Sequence, residues 1–152
     1  MSLDQIYHYE IVTDQIGSSG QPTEDQFADI AAAGYQAVIN LAMADSDNAI
    51  PHEGNLVSAQ QMSYIQIPVD FANPTMADLE RFCGVMQTVE PQRVWVHCVV
   101  NARVSAFLYL YLKHVKGLPE SECRTNLLDR WQPQMDEVWQ NFLTQGAEHL
   151  SG

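Results

Sequence analysis

Cys98 is the residue of this chain best placed to do chemistry. It follows Arg93-Val94-Trp95-Val96-His97, a run with the character of a buried strand, and precedes Val99-Val100-Asn101-Ala102-Arg103-Val104-Ser105-Ala106-Phe107, a short loop that enters an apolar helix. A thiol at a strand-to-helix junction sits among helix-start N–H groups that have no intrahelical acceptor. Those donors and the helix dipole favour negative charge, so the junction favours a thiolate and can bind an anion. The commonest fate of a lone cysteine is burial as a small hydrophobe. A structural cysteine, however, needs no His before it and no Asn, Arg and Ser behind it. The chemistry implied is nucleophilic attack by a thiolate, with developing charge held by oriented donors. Asp70 is a candidate proton donor, because it follows a strand in a loop that can cover such a pocket. An Asp ahead of Asn73-Pro74 also suits a turn, and both uses stay open.

The elements that must position these residues alternate between strand and helix. Tyr9 to Thr13 reads as a weak edge strand and Ser18-Ser19-Gly20-Gln21-Pro22 as a turn. Thr23, with Gln26 as capping-box partner, starts a helix that Gly34 ends. Tyr35 to Leu41 is a strand, Ala42 to Gly54 a polar loop, Asn55 to Met62 a helix and Ser63 to Val69 a strand. Thr75 caps a helix whose apolar face is Met76, Leu79, Phe82, Cys83, Met86 and Val89, closed by Pro91. Val94 to His97 is the central strand. The helix from Arg103 to Val115 is apolar nearly all round, so it is the most buried; Gly117 stops it. Pro119 opens another helix, Arg130-Trp131-Gln132-Pro133 is a loop, and a last helix begins near Pro133. The fold class expected is α/β, a mostly parallel sheet with helices on both faces, in which ligands bind at the carboxyl ends of the strands.

Composition narrows the function. The 152 residues suit one domain, 1–152, with 46% hydrophobic residues to fill a core. Nineteen acids against 7 bases give a net charge of −12, which argues against nucleic acid or an anionic membrane as partner. Any cationic site must be local. Three cysteines, at 83, 98 and 123, form no disulfide framework and suit a reducing, cytoplasmic setting. No signal peptide is read at the start, and no apolar run is long enough to span a membrane. The histidines lack metal-ligand spacing, so neither a metal nor another cofactor is expected. Oligomeric state is not legible.

His97-Cys98 with a downstream Arg and Ser resembles the signature of cysteine-dependent protein tyrosine and dual-specificity phosphatases: His-Cys, five residues, Arg, then Ser or Thr. Ser19-Gly20-Gln21-Pro22-Thr23 before a helix, Val38-Ile39-Asn40-Leu41 ending a strand, and Ile67-Pro68-Val69-Asp70 resemble more narrowly the bacterial beta-lactamase hydrolase-like phosphatase domain. The resemblance runs from about Gln15 to Val115. It implies phosphomonoester hydrolysis through a phosphocysteine intermediate on Cys98, with a phosphorylated small molecule or phosphoprotein as partner. It further implies that His97 supports the thiolate by bonding to backbone, and that Ser105 helps it depart. Asp70 would serve as acid, and His97 together with the loop from Val99 through Val100, Asn101, Ala102 and Val104 would form the phosphate-binding site.

One position departs from that signature. The pattern places its Arg where this chain has Val104, and Arg103 comes one residue early. Ser105 stands where the Ser belongs. Asn101 stands where the loop's usual Gly belongs, and Asn tolerates a left-handed backbone. Two outcomes are open. Arg103 reaches the phosphate through a rearranged loop, or it points elsewhere and the domain binds anions with weak or no turnover. A third class, a sulfur-handling protein of rhodanese type, also uses a Cys in an anion-binding loop, but the flanking segments favour the phosphatase resemblance.

Overall fold

The structure is a computed structural model that describes residues 2–151, so Met1 and Gly152 lie outside it. Five strands form one sheet in the order β1-β2-β5-β3-β4. They are β1 (Glu10–Ile11), β2 (Ile16–Ser19), β3 (Ala37–Asn40), β4 (Ser63–Gln66) and β5 (Val94–His97). Only the β1–β2 pair is antiparallel; β2–β5, β5–β3 and β3–β4 are parallel. Seven α-helices accompany them among the described residues: α1 (Gln26–Ala32), α2 (Glu53–Ala59), α3 (Met76–Val89), α4 (Ala102–Leu110), α5 (Glu120–Cys123), α6 (Asn126–Trp131) and α7 (Glu137–Ser151).

Period-two alternation sends the strand side chains to two cores. Ile16, Ala37, Ile39, Val94 and Val96 join Leu79, Phe82, Phe107, Tyr111, Trp139 and Phe142 on the face carrying α3, α4 and α7. Val38 and Trp95 join Ile6, Phe27, Ile30, Tyr35, Val57 and Met62 on the face carrying α1 and α2. A parallel sheet covered on both faces buries its central strand completely, and all of β5 is buried.

Four elements differ from the sequence reading. Ser18-Ser19 does not turn; it ends β2, a buried strand paired with β5. Its Gly and Ser residues lack the β-branched signal, yet the packing demands them small. A Cβ on Gly17 would lie 2.5 Å from the Trp95 ring. The first helix starts at Gln26, preceded by Asp25 with no side-chain cap; the Thr23–Gln26 bond survives as Thr23 N–H donating to Gln26 Oε1 (2.9 Å). Asn126 to Trp131 is helical, capped by the Thr125 side chain, so Arg130-Trp131 ends a helix rather than forming a loop. The last helix begins at Glu137, after a 3-10 turn over Gln132–Gln134 that takes up Pro133. The helix after the Cys98 loop runs regularly to Leu110 and continues as π-type turns over Tyr111–Val115, with Gly117 at φ 72 beyond it.

Candidate active site

The carboxyl ends of three neighbouring strands meet in register, with Ser19 and Asn40 flanking His97. Cys98 is the next residue of the central strand, at the sheet's carboxyl edge. Its N–H donates to the Ser19 carbonyl (3.3 Å), and the Leu41 N–H donates to the His97 carbonyl (2.8 Å). The chain then leaves the sheet, curls through Val99 to Asn101 and enters α4.

The backbone of that curl is unusual. Among the described residues, the consecutive amides from Val99 to Val104 donate to no protein acceptor; the first helical bond runs from the Ser105 N–H to the Asn101 carbonyl (3.1 Å). A helix start leaves some amides without intrahelical acceptors, but here the run extends back into the loop. Most of these residues are buried. Buried N–H groups are almost always paired, and a run of consecutive free ones is an arrangement that can hold an anion. Asn101 belongs to a residue type that caps helices well, and here it does not cap. Its backbone is left-handed (φ 73), and its Nδ2 donates to the His8 carbonyl (2.9 Å) and to Ser18 Oγ (3.2 Å). That pull fixes the loop's curvature and withholds the side chain from the amides it would otherwise satisfy. The Asn101 Oδ1 is buried with no partner among the described residues.

Outside contacts clamp the loop. The Gln21 N–H donates to the Val99 carbonyl (3.0 Å), and His8 Nδ1 lies 2.9 Å from the Val100 carbonyl oxygen. Gly20 lets the end of β2 approach closely: a Cβ there would meet the Val99 carbonyl oxygen at 2.5 Å. Beneath Cys98, His97 is fully buried. Its Nε2–H donates to Glu53 Oε2 (2.6 Å), and its Nδ1 lies 3.2 Å from the Cys98 carbonyl oxygen. Gln21 Nε2 donates to the other Glu53 oxygen (2.8 Å). Both ring nitrogens of His97 are thus engaged within the protein. Glu53 was not legible as a site residue, because only the fold brings α2 to His97.

Cys98 itself is fully buried. Val104 points into the apolar core beneath the loop. Arg103, buried at 6% exposure, sends its guanidinium toward the Asp70 loop, where Nη1 donates to the Val69 carbonyl (2.8 Å). The guanidinium carbon lies 5.8 Å from the Phe71 ring centroid. Asp70 is exposed, and its Oδ1 accepts the Ala72 N–H (2.9 Å), which is a turn contact. The Ser105 hydroxyl donates to the Ala102 carbonyl (2.7 Å). The loop after β4 is pinned a second time by the Trp139 indole N–H, which donates to the Phe71 carbonyl (2.9 Å). Phe71 therefore stacks among Trp131 and Trp139, a role its sequence position did not signal.

The other two cysteines are buried elsewhere and free. Burial pushes the Cys83 thiol up to about 11. Burial, and then the Glu120 charge, raise that of Cys123. Among the described residues no group of His, Cys, Asp and Glu is arranged to hold a metal ion, and no helix is long and apolar enough to cross a membrane.

Comparison with known proteins follows the same lines. A DUF442 protein from Shewanella putrefaciens CN-32 is 35% identical and superposes with a TM-score of 0.89, covering 99% of this chain and 97% of its own. A beta-lactamase hydrolase-like protein of Xylella fastidiosa (strain Temecula1) is 28% identical over 109 residues, 70% of this chain; the match spans only 25% of that relative's length. The PTPMT1 structure in complex with PI(5)P, at 14% identity and a TM-score of 0.74, covers 94% of this chain and 96% of its own, and shares the fold. Residues 14–141 match the family model described as DSP-PTPase phosphatase fused to NAD+ kinase. The chain therefore belongs to a phosphatase family of the tyrosine and dual-specificity type.

Proposed function

We propose that the chain hydrolyses phosphomonoesters through a phosphocysteine on Cys98. The observation that carries this is the run of unpaired amides from Val99 to Val104 curled beside the Cys98 thiol. In the first step the Cys98 thiolate attacks phosphorus, the P–O bond to the leaving group breaks, and Asp70 delivers a proton to the departing oxygen. In the second step water attacks the phosphocysteine. Asp70 takes the water's proton, the P–S bond breaks, and inorganic phosphate leaves. The loop amides hold the equatorial oxygens throughout. Arg103 adds charge: only its Nη1 is committed to the Val69 carbonyl, and a guanidinium carries further donors for phosphate oxygens. Ser105 turns from Ala102 toward the departing thiolate. Glu53 and Gln21 keep His97 under the Cys98 carbonyl. The substrate is a phosphorylated small molecule or phosphoprotein.

A second reading, a phosphate-holding domain with weak turnover, is favoured by one feature. Both Arg103 and Asp70 are engaged by the loop after β4, at the Val69 carbonyl and the Ala72 amide. Hydrolysis of para-nitrophenyl phosphate across pH, with Cys98→Ser and Arg103→Ala alongside, separates the two. Turnover lost in Cys98→Ser and reduced about 10²–10³-fold in Arg103→Ala is the outcome expected of the enzyme. No wild-type turnover with vanadate still bound would establish the second reading.

A further inference from the structure

Beside the cradle lies a cleft of about 330 Å³ walled by Val100 and Ala102 of the loop, by Phe71, Leu127 and Trp131, and by Arg130. His8 and Gln134 complete the lining, so the walls are mainly aromatic and aliphatic, and the Arg130 guanidinium is the one permanent charge. In a chain of 19 acids and 7 bases an arginine without a carboxylate partner is informative. Arg81, Lys113, Lys116 and Arg124 all pair with carboxylates, and Arg93 and Arg103 donate to backbone carbonyls, whereas the Arg130 guanidinium has neither kind of partner among the described residues. The neighbouring carboxylates are engaged elsewhere. Glu10 Oε1 accepts the Asn126 N–H (2.6 Å), and Asp129 Oδ1 accepts from Arg124 Nε (2.6 Å). Arg130 stands in the last turn of α6, where the helix dipole suits a cation. The dipole does not explain why stacked Phe71 and Trp131 rings and the phosphate loop enclose the same space.

We infer that this cleft receives the leaving group of the substrate, and that Arg130 binds a second phosphate on it: the preferred substrates are small bisphosphorylated molecules with an apolar or ring-shaped body. This rests on the phosphatase reading above. The protein's net negative field repels such a substrate, so local cations at both ends are what make its capture favourable. The aromatic walls take the body of the molecule, and the two anionic ends fix its direction.

The test compares kcat/KM for phenyl phosphate with that for benzene-1,4-diyl and biphenyl-4,4′-diyl bisphosphates, in wild type, Arg130→Gln and Arg130→Lys. At least one bisphosphate is expected to be preferred by about tenfold, the worth of one charge-assisted hydrogen bond. Arg130→Gln is expected to erase that ratio and Arg130→Lys to retain part of it. A wild-type ratio no greater than the statistical factor for two equivalent phosphates, or a ratio that Arg130→Gln leaves intact, overturns the assignment. Titration calorimetry of Cys98→Ser and Cys98→Ser/Arg130→Gln with inorganic phosphate and with both bisphosphates gives the same comparison without turnover. Failure of hydrolysis and failure of the subsite are thereby distinguished.

Discussion

Two helices of this fold begin in opposite ways. At α3 the Thr75 side chain accepts the Asp78 N–H, and the Asp78 carboxylate accepts the Thr75 N–H, each at 3.1 Å. That reciprocal box closes the helix within its own sequence. At α4 the capping residue, Asn101, spends its amide on His8 and Ser18, and the amides of Val99 to Val104 face no protein acceptor. One helix start is finished for stability. The other is held open by contacts from Gly20, Gln21, His8 and Glu53, drawn from three other parts of the chain. A site that binds an anion leaves its own hydrogen bonds unmade, and the surrounding structure must supply the order that a cap would have supplied.

The cysteines repeat the contrast. Cys83 lies inside the capped helix α3 among apolar side chains, and Cys98 lies at the open end of α4. In the proposed mechanism, position on a helix rather than burial separates the inert thiol from the nucleophile, since both are buried.

The largest way to break the contrast is to move the open loop. Gly20→Ala places a methyl group against the Val99 carbonyl, and a shift of the cradle of this kind is expected to lower kcat/KM for aryl phosphates about a hundredfold. Circular dichroism checks that the sheet survives. Next comes the support beneath it. Glu53→Gln keeps the size of the side chain but weakens its grip on His97, and kcat is expected to fall about tenfold with KM little changed. A parallel rise in KM would mean that Glu53 acts on binding instead.

The closed helix start should answer in the other currency. Thr75→Ala is expected to lower stability by about 1 kcal/mol, read from urea or thermal unfolding, with kcat unaltered. Smallest at neutral pH is the response of Cys83. Its thiol is raised from its ordinary 9.0 to about 11 in the folded state. The stability linked to keeping it neutral is therefore fully present below pH 9 and is lost as pH rises toward 11. Iodoacetamide near pH 8 is expected to modify Cys98 and spare Cys83, as peptide mass spectrometry would show; equal labelling of both would erase the distinction.

What the sequence disclosed follows from where its signals are local. The buried strand Val94–His97, the cysteine after it and the apolar α4 are consecutive, and Thr75 announces its helix within a few residues. The α/β class followed from strand–helix alternation. Elements whose identity depends on distant packing were misread. Ser18-Ser19-Gly20-Gln21-Pro22 looks like turn chemistry, and its first two residues end a strand that pairs with β5, where Trp95 fills the space beside Gly17. Glu53 sat in what reads as a polar loop, and it matters because α2 carries its carboxylate to His97. Arg130 and Trp131 read as a connection, and the Thr125 cap makes them the end of α6. The Arg103–Val104 ambiguity could not be resolved from spacing, because the path of the loop decides which of two adjacent side chains enters the core. Val104 does, and Arg103 turns to the Asp70 loop.

The central claim is that Cys98 carries the phosphoryl group. Rapid acid quench of the protein turning over para-nitrophenyl phosphate, followed by peptide mass spectrometry, tests it most directly. A phosphoryl group on the Cys98 peptide, absent from Cys98→Ser along with turnover, is the predicted result. Turnover that persists in Cys98→Ser, with no adduct on Cys98 in the wild type, would contradict the account.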